Sequence, residues 1–261
     1  MKQLLIIPDR DHLQEILALA NQYSLGFEYN DFFDPTVLDN GQELQRIINT
    51  YKKQPLPEYC TLHGAFYDVI PFSIDRRIRE VSRIRICQSL ETAQQMGARA
   101  VIFHTNYNPF LNSSAYIERW IAENITFWST ILEQYPHTGV YLENMFDTSP
   151  DIMEKMSEHL CRYPNYGVCL DYAHAALSLV SPEEWAARLG KYVKHIHIND
   201  HDLVSDLHLA WGDGKIDREG FYRSYERCMN QASILIETSS VENMKRTLKV
   251  FTEDGFIGGD S

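Results

Sequence analysis

The chain has no excess of positive charge: 24 Lys and Arg stand against 36 Asp and Glu, a formal net charge of −12. That balance removes any global field attractive to nucleic acid or to an anionic membrane, although a local basic patch is compatible with it. Long apolar runs are also missing. The N-terminus "MKQLLIIPDR" offers only "LLII" before a proline and charges, too short for a signal-peptide core. No other stretch approaches the ~20 apolar residues of a membrane span. The five cysteines, Cys60, Cys87, Cys161, Cys169 and Cys228, are odd in number and lack CxxC spacing, which argues against a disulfide framework and against a Cys-rich zinc site. No Gly/Ser/Pro linker or low-complexity tract divides the chain. These absences predict a reduced, cytoplasmic protein forming one unit over residues 1–261, with no membrane partner.

What is present is a regular alternation. A chain of 261 residues that is 44% hydrophobic can bury a large core, as two small domains or as one α/β barrel. Short apolar runs at 4–7, 26–29, 60–64, 100–104, 139–143, 167–171, 193–198 and 233–237 read as strands. Between them, helical spacing of Leu, Ile and Ala predicts helices over 10–23, 42–53, 75–96, 114–134, 150–161, 182–189, 217–230 and 239–252. "SPDIMEKM" and "SPEEW" carry helix-entry chemistry, with Ser as cap and Pro in the first turn, and Gly97 stands where a helix should end. Eight β/α units in this length is the arithmetic of a single (β/α)8 TIM barrel, of class α/β. A doubly wound open sheet is the competing architecture.

The polar residues favour the barrel, whose chemistry gathers at the C-terminal ends of its strands. At or just after those ends lie His63, His104, Glu143, Asp171 with His174, His197, then Asp206 with His208, and Glu237. Each strand from the third to the eighth thus delivers a potential metal ligand to one rim, which packing alone does not require. In "HIHIND" the period of two puts His195, His197 and Asn199 on one face. His197 is then the ligand near the rim and His195 a hydrogen-bonded barrel-interior residue one layer deeper. His201 and Asp202 read as solvated loop residues. "DLH" places Asp206 and His208 on one side of an extended segment, and "CLDYAHAAL" offers Asp171 and His174 across a strand-to-helix turn. Mixed imidazole and carboxylate ligands suit Zn, Mn, Fe or Co as divalent ions. Nine ligands over-supply a single ion, so between one and three per chain are expected.

In order along the chain, "LHGAF", "VIFHTN", "YLENMFD", "CLDYAH", "IHINDHD", "DLHLAWGDGKI" and "ILIETS" resemble the endonuclease IV and xylose-isomerase-like TIM-barrel superfamily. The resemblance covers nearly everything from the third strand onward. It implies one zinc ion on His63, His104 and Glu143, a second on Glu143, Asp171, His197 and Glu237, and a third on His174, Asp206 and His208. In the sugar isomerase and epimerase branch, the counterparts of Glu143, Asp171, His197 and Glu237 hold one divalent ion, and the two glutamates also move the substrate proton.

The two branches imply different reactions. Retention of all nine ligand types points to a multinuclear phosphoesterase, an AP endonuclease or a hydrolase of a small phosphodiester. The loop after the second strand, "EYNDFFDPTVLDNGQE", is acidic and aromatic and has no arginine, whereas an enzyme that grips and opens DNA needs basic and wedge-like side chains there. Phe32 and Phe33, Phe66 and Tyr67, and Trp211 instead suggest apolar walls for a sugar face. Lys215, beside the flexible "GDG" at 212–214, is a candidate contact for an anionic group. Arg76, Arg77, Arg79, Arg83 and Arg85 read as a helix surface. The expectation is a divalent-metal-dependent sugar or sugar-phosphate isomerase or epimerase working through a metal-stabilised enediolate, with Glu143 and Glu237 as base and acid. The phosphoesterase is the second choice, and a metal-bound sugar-binding or regulatory barrel the third.

Overall fold

The computed structural model describes residues 2–66 and 68–258. Eight parallel strands, β1 (Leu4–Ile6), β2 (Gly26–Tyr29), β3 (Cys60–His63), β4 (Ala100–His104), β5 (Gly139–Glu143), β6 (Tyr166–Asp171), β7 (Val193–Ile198) and β8 (Ser233–Ile236), close into a barrel in chain order. The open-sheet alternative is excluded by the pairing of β1 with β8, Leu5 opposite Leu235. Around the barrel run α1 (Leu13–Tyr23), α2 (Pro35–Leu38), α3 (Gly41–Lys52), α4 (Arg76–Met96), α5 (Ser114–Gln134), α6 (Asp151–Leu160), α7 (Tyr172–Ala176), α8 (Pro182–Leu189), α9 (Arg218–Ser224) and α10 (Val241–Glu253). No described helix is long and apolar enough to cross a membrane.

The helices form because their apolar residues recur on one face. In α10, Met244, Thr247, Leu248 and Phe251 are the buried positions, an i, i+3, i+4, i+7 stripe laid on the barrel. Side chains such as Ile16, Ile47, Ile86 and Leu90 complete the layer between helices and strands, and each fully buried aliphatic contributes roughly 1.5–3 kcal/mol. The other strand face points into the barrel. There Leu5, Ile102, Cys169 and Leu235 are buried with Glu28, Thr61 and His195, so the interior is part apolar and part polar.

Helix ends follow local chemistry. Ser181 caps α8 by accepting from Glu184 N, with Pro182 in the first turn. At α6 the expected Ser cap is replaced: Pro150 occupies the cap position with no side-chain bond, and Ser149 Oγ instead accepts from Asp151 N. The single helix predicted over 217–230 is α9 followed by a π-helical turn, Tyr225–Met229. That wider turn lays the Cys228 carbonyl against Gly190, where a Cβ would stand 2.6 Å from it. α2 and α7 are single turns too short to leave a periodic signal.

Gly97 ends α4 in the left-handed region at φ 72°, its N–H returning to the carbonyls of Ala93 and Gln94. A Cβ there would meet nothing within 4 Å, so the backbone conformation is the whole penalty. Gly97→Ala is expected to destabilise the fold by about 1 kcal/mol, read as a lower urea midpoint, with Gly97→Asn losing less. An unchanged midpoint for Gly97→Ala would contradict this account.

Candidate metal centre at the barrel mouth

Strand register assembles the site. Pairing sets His104 opposite Glu143 and Asp171 opposite His197, so neighbouring strands present ligand-type atoms at one height. His63 and His104 bring their Nε2 atoms 3.2 Å apart, and these lie 3.7 and 3.4 Å from Glu143 Oε2. Deeper in the mouth, Glu143, Asp171 and His197 form a second group with ligand atoms within 4.8 Å of one another. His197 Nδ1 stands 3.4 Å from Glu143 Oε1 and 3.7 Å from Glu237 Oε1. On the outer side Asp206 Oδ2 lies 3.3 Å from His174 Nε2 and 3.0 Å from His208 Nε2. The nine residues of the sequence reading therefore meet at one mouth as three adjoining groups.

Backbone carbonyls set the histidine tautomers. Nδ1–H of His63 donates to Gly64 O at 3.0 Å, that of His174 to Asn144 O at 2.9 Å and that of His208 to Glu237 O at 3.1 Å. A carbonyl can only accept, so Nδ1 carries a hydrogen in each ring, and Nε2, the nitrogen that faces the carboxylates, is the one free to give up its proton to a cation. His208 reaches this position with φ 47°, a strained backbone for a residue with a Cβ. Asn144 joins β5 to β6: its Oδ1 accepts from Asp171 N and its Nδ2 donates to Asp171 O, both at 2.9 Å. Asp171 Oδ1 then accepts from His174 N at 2.6 Å, capping α7.

The donor set fits a divalent cation. Glu143 Oε1 and Oε2, Asp171 Oδ2 and His197 Nδ1 are buried without a hydrogen-bond partner. Orphaned acceptors in a dry mouth are costly unless a cation or a proton meets them. Proton affinities diverge accordingly. Burial pushes the Glu143 carboxyl up, but the charges of His197 and His104 outweigh it and hold the group well below its ordinary 4.5. Burial, reinforced by Asp171 and Glu143 against the pull of His197, pushes Glu237 up to about 7. For His208, burial is overcome by the bond to Asp206 and the charge of Glu237, and its value rises to about 9.

The aromatic and loop residues divide. Phe66 packs on His63 and His104 at 5.5 and 4.9 Å between ring centres, and Phe33 stands 5.0 Å from Phe66, so these two border the first group. Tyr67 lies outside the described residues. Phe32 is not a wall of the mouth: it is fully buried and packs edge-on to Tyr29, because the chain turns it inward after β2. Trp211 is also a core residue, 1% exposed against Phe221 and Phe251, with its indole N–H donated to Tyr222 Oη. The Gly212–Gly214 turn is tied down by Asp200, which accepts from the amides of Gly212 and Ile216. Lys215 follows it on the surface. His201 is buried rather than solvated: Nε2 donates to Ala173 O at 2.8 Å while Nδ1 accepts from Leu203 N. The five arginines read as a surface lie on α4, where Arg79, Arg83 and Arg85 pair with Glu123, Glu80 and Asp39.

Sequence reasoning missed Glu28. This carboxylate of β2 is fully buried, accepts from Thr61 Oγ1 at 2.7 Å, and stands 3.1 Å from Nε2 of both His195 and His197. Asp147 was also unread. Its Oδ2 accepts from Thr105 Oγ1 at 2.6 Å and Met145 N at 3.0 Å, and burial pushes its carboxyl up to about 6.

A closed eight-stranded barrel with imidazoles and carboxylates clustered at its C-terminal mouth defines the class. The chain belongs to the xylose isomerase-like TIM barrel family, whose model matches residues 19–252. It is 24% identical over 203 residues to the uncharacterized protein MJ1311 of Methanocaldococcus jannaschii, covering 74% of this chain and 68% of that one. Among solved structures, a D-tagatose 3-epimerase-like protein superposes with a TM-score of 0.77 at 20% identity, covering 97% of this chain and 96% of the other. The TTHB071 protein from Thermus thermophilus, soaked with ZnCl2, gives 0.74 at 21% identity, with 97% of each chain covered. At these identities the structures share the fold.

Two expectations follow. If all nine residues coordinate, protein purified without added metal should carry two or three divalent ions per chain by elemental analysis, with His63→Ala and His174→Ala each losing part of the content; one ion per chain unaffected by either change would refute the multinuclear arrangement. The second concerns Asp147 in metal-free protein. Its folded value of about 6 exceeds the ordinary 3.8, so the proton is bound more tightly in the folded state and stability is lost as pH rises through about 6. Asp147→Asn should remove a loss on the order of 2 kcal/mol between pH 4 and 8. Parallel pH–melting curves for wild type and variant would contradict the assignment.

Proposed function

We propose that this protein is a divalent-metal-dependent isomerase or epimerase of a sugar. The observation that supports the reading most is the pair Glu143 and Glu237. They come from β5 and the end of β8, both reach His197 Nδ1, and their environments drive their proton affinities apart. Paired carboxylates of unequal basicity are what proton removal and return require.

Glu143, Asp171, His197 and Glu237 would hold the ion. Bound there, a divalent cation supplies a Lewis acid for two adjacent oxygens of a keto sugar and makes the neighbouring C–H more acidic. Glu143 is the carboxylate kept ionised, so it takes the proton from carbon. Glu237, the carboxyl whose buried setting favours a proton more, would deliver one from the oxygen not committed to the ion, on the opposite face for an epimerase or at the adjacent carbon for an isomerase. Asn199 Nδ2, 3.4 Å from Glu237 Oε2, steadies that carboxyl. Phe33 and Phe66 offer an apolar wall to the sugar.

A groove of ≈ 580 Å³ opens beside His174, lined by Tyr107, Phe110, Met145, Phe146 and Leu177 among others and by no Lys or Arg. Such a lining suits an uncharged sugar better than a sugar phosphate. The acidic balance of the chain and the arginine-free loop after β2 weigh against nucleic acid.

A second reading, a multinuclear phosphoesterase, is favoured by one observation. His63 and His104 on one side and His174, Asp206 and His208 on the other are not needed by a one-ion isomerase, yet the first two gather with Glu143 as a ligand group, and His174 and His208 both bond Asp206.

Glu237→Gln separates the two. For an isomerase, turnover of a ketose should fall by about 10²- to 10⁴-fold while metal is largely retained. In D2O the wild type should place deuterium on the substrate carbon and the variant should not. Hydrolysis of a phosphodiester that excess metal restores in Glu237→Gln, with no ketose converted, would establish the hydrolase instead.

A further inference from the structure

Three histidines of the mouth take their tautomer from a backbone carbonyl. His197 has no such partner. It lies within β7, between β6 and β8, where main-chain carbonyls are engaged in the ladder. Its Nδ1 faces Glu143 and Glu237, and its Nε2 faces Glu28 Oε1 at 3.1 Å. We infer that Glu28 is the positioning residue of the centre, holding His197 in the Nε2–H form so that the Nδ1 lone pair is presented to the metal. The inference rests on the metal-dependent reading above.

The surroundings of Glu28 support it. Its oxygens face three groups able to donate: Thr61 Oγ1–H donates to Oε2, His195 Nε2 stands 3.1 Å from the same oxygen, and His197 Nε2 stands 3.1 Å from the other. The two ring contacts lie off the straight N–H···O line, so they act as close electrostatic contacts more than as in-line hydrogen bonds. An ionised carboxylate has no hydrogen to offer, so either imidazole turned with a lone pair toward it would be repelled.

His195 agrees with this assignment. With Nε2–H toward Glu28, its Nδ1 accepts from Ser233 Oγ at 2.7 Å, and Ser233 Oγ accepts in turn from Tyr59 Oη at 3.1 Å. The donors from Tyr59 through Ser233 and His195 thus run in one direction and end on Glu28, which leaves Oε1 of that carboxylate to His197.

A glutamine at this position fills the same volume but has one accepting oxygen and an NH2 group. Facing three donors, that NH2 must confront one of them, and where it meets His197 it demands the Nε2 lone pair and leaves hydrogen on Nδ1. Metal affinity then falls for a reason unrelated to folding.

The test is calorimetric titration of metal-free protein with Zn2+, with melting curves of the same samples. Wild type should bind, and Glu28→Gln should bind 10- to 100-fold more weakly while the melting temperature of the metal-free form stays within a few degrees. Equal affinities would overturn the role of Glu28 and leave the metal reading standing, whereas no binding by wild type would sink the metal reading itself. Should Glu28→Gln fail to fold, long-range 1H–15N spectra of zinc-loaded wild type decide the matter. Hydrogen on Nε2 of His197 with Nδ1 coordinated supports the inference, and hydrogen on Nδ1 overturns it.

Discussion

Glu143 is the group on which the mouth of this barrel depends. One carboxylate, cut off from water, lies within 3.7 Å of ring nitrogens from His63, His104, His174 and His197. Removing an ionised carboxyl from water costs several kcal/mol unless opposite charge surrounds it. Here the compensation comes from four different strand ends, so the closed barrel is what makes the charge tolerable. In a flat sheet of the same order β3 and β7 would each lie two strands, about 9.6 Å, from β5, and Glu143 would lose half of its partners.

Much of this was legible in the sequence because barrel and site obey the same periodicity. All eight strands fall where the apolar runs lie, and the nine ligand-type residues sit at strand ends or in the segments that follow them, the positions at which a (β/α)8 barrel gathers chemistry. The failures share a cause, which is that exposure in a loop cannot be read from polarity. His201 and Asp202 look solvated in "NDHD", yet His201 is buried as an anchor for the loop behind β7. Trp211 looked like a wall of the mouth because it follows a strand, whereas that loop folds back and lays its indole between two helices.

Glu28 escaped notice for a subtler reason. "GFEY" resembles a half-buried strand whose glutamate faces solvent, the usual meaning of alternation in an antiparallel sheet. A parallel barrel strand has no solvent face, since one side meets the helices and the other the interior. Once eight such strands had been counted, a glutamate in the middle of one had to be buried and had to have partners. Thr61 beside it and His195 and His197 across the barrel are those partners. Asp147 left no comparable signal, because its burial depends on how the loop after β5 closes over Thr105.

The anchoring of the imidazoles has an evolutionary side. His63, His174 and His208 lean on main-chain carbonyls, which survive nearly any codon change as long as the loops keep their course. His197 leans on a side chain that a single nucleotide substitution can replace. Across descendants of this gene, orientation of the outer rings should drift only with the backbone, while the inner ring can be retuned by point mutation. Selection for a changed mouth on the same scaffold therefore has its shortest path through β2, a strand that sends none of the nine clustered residues there.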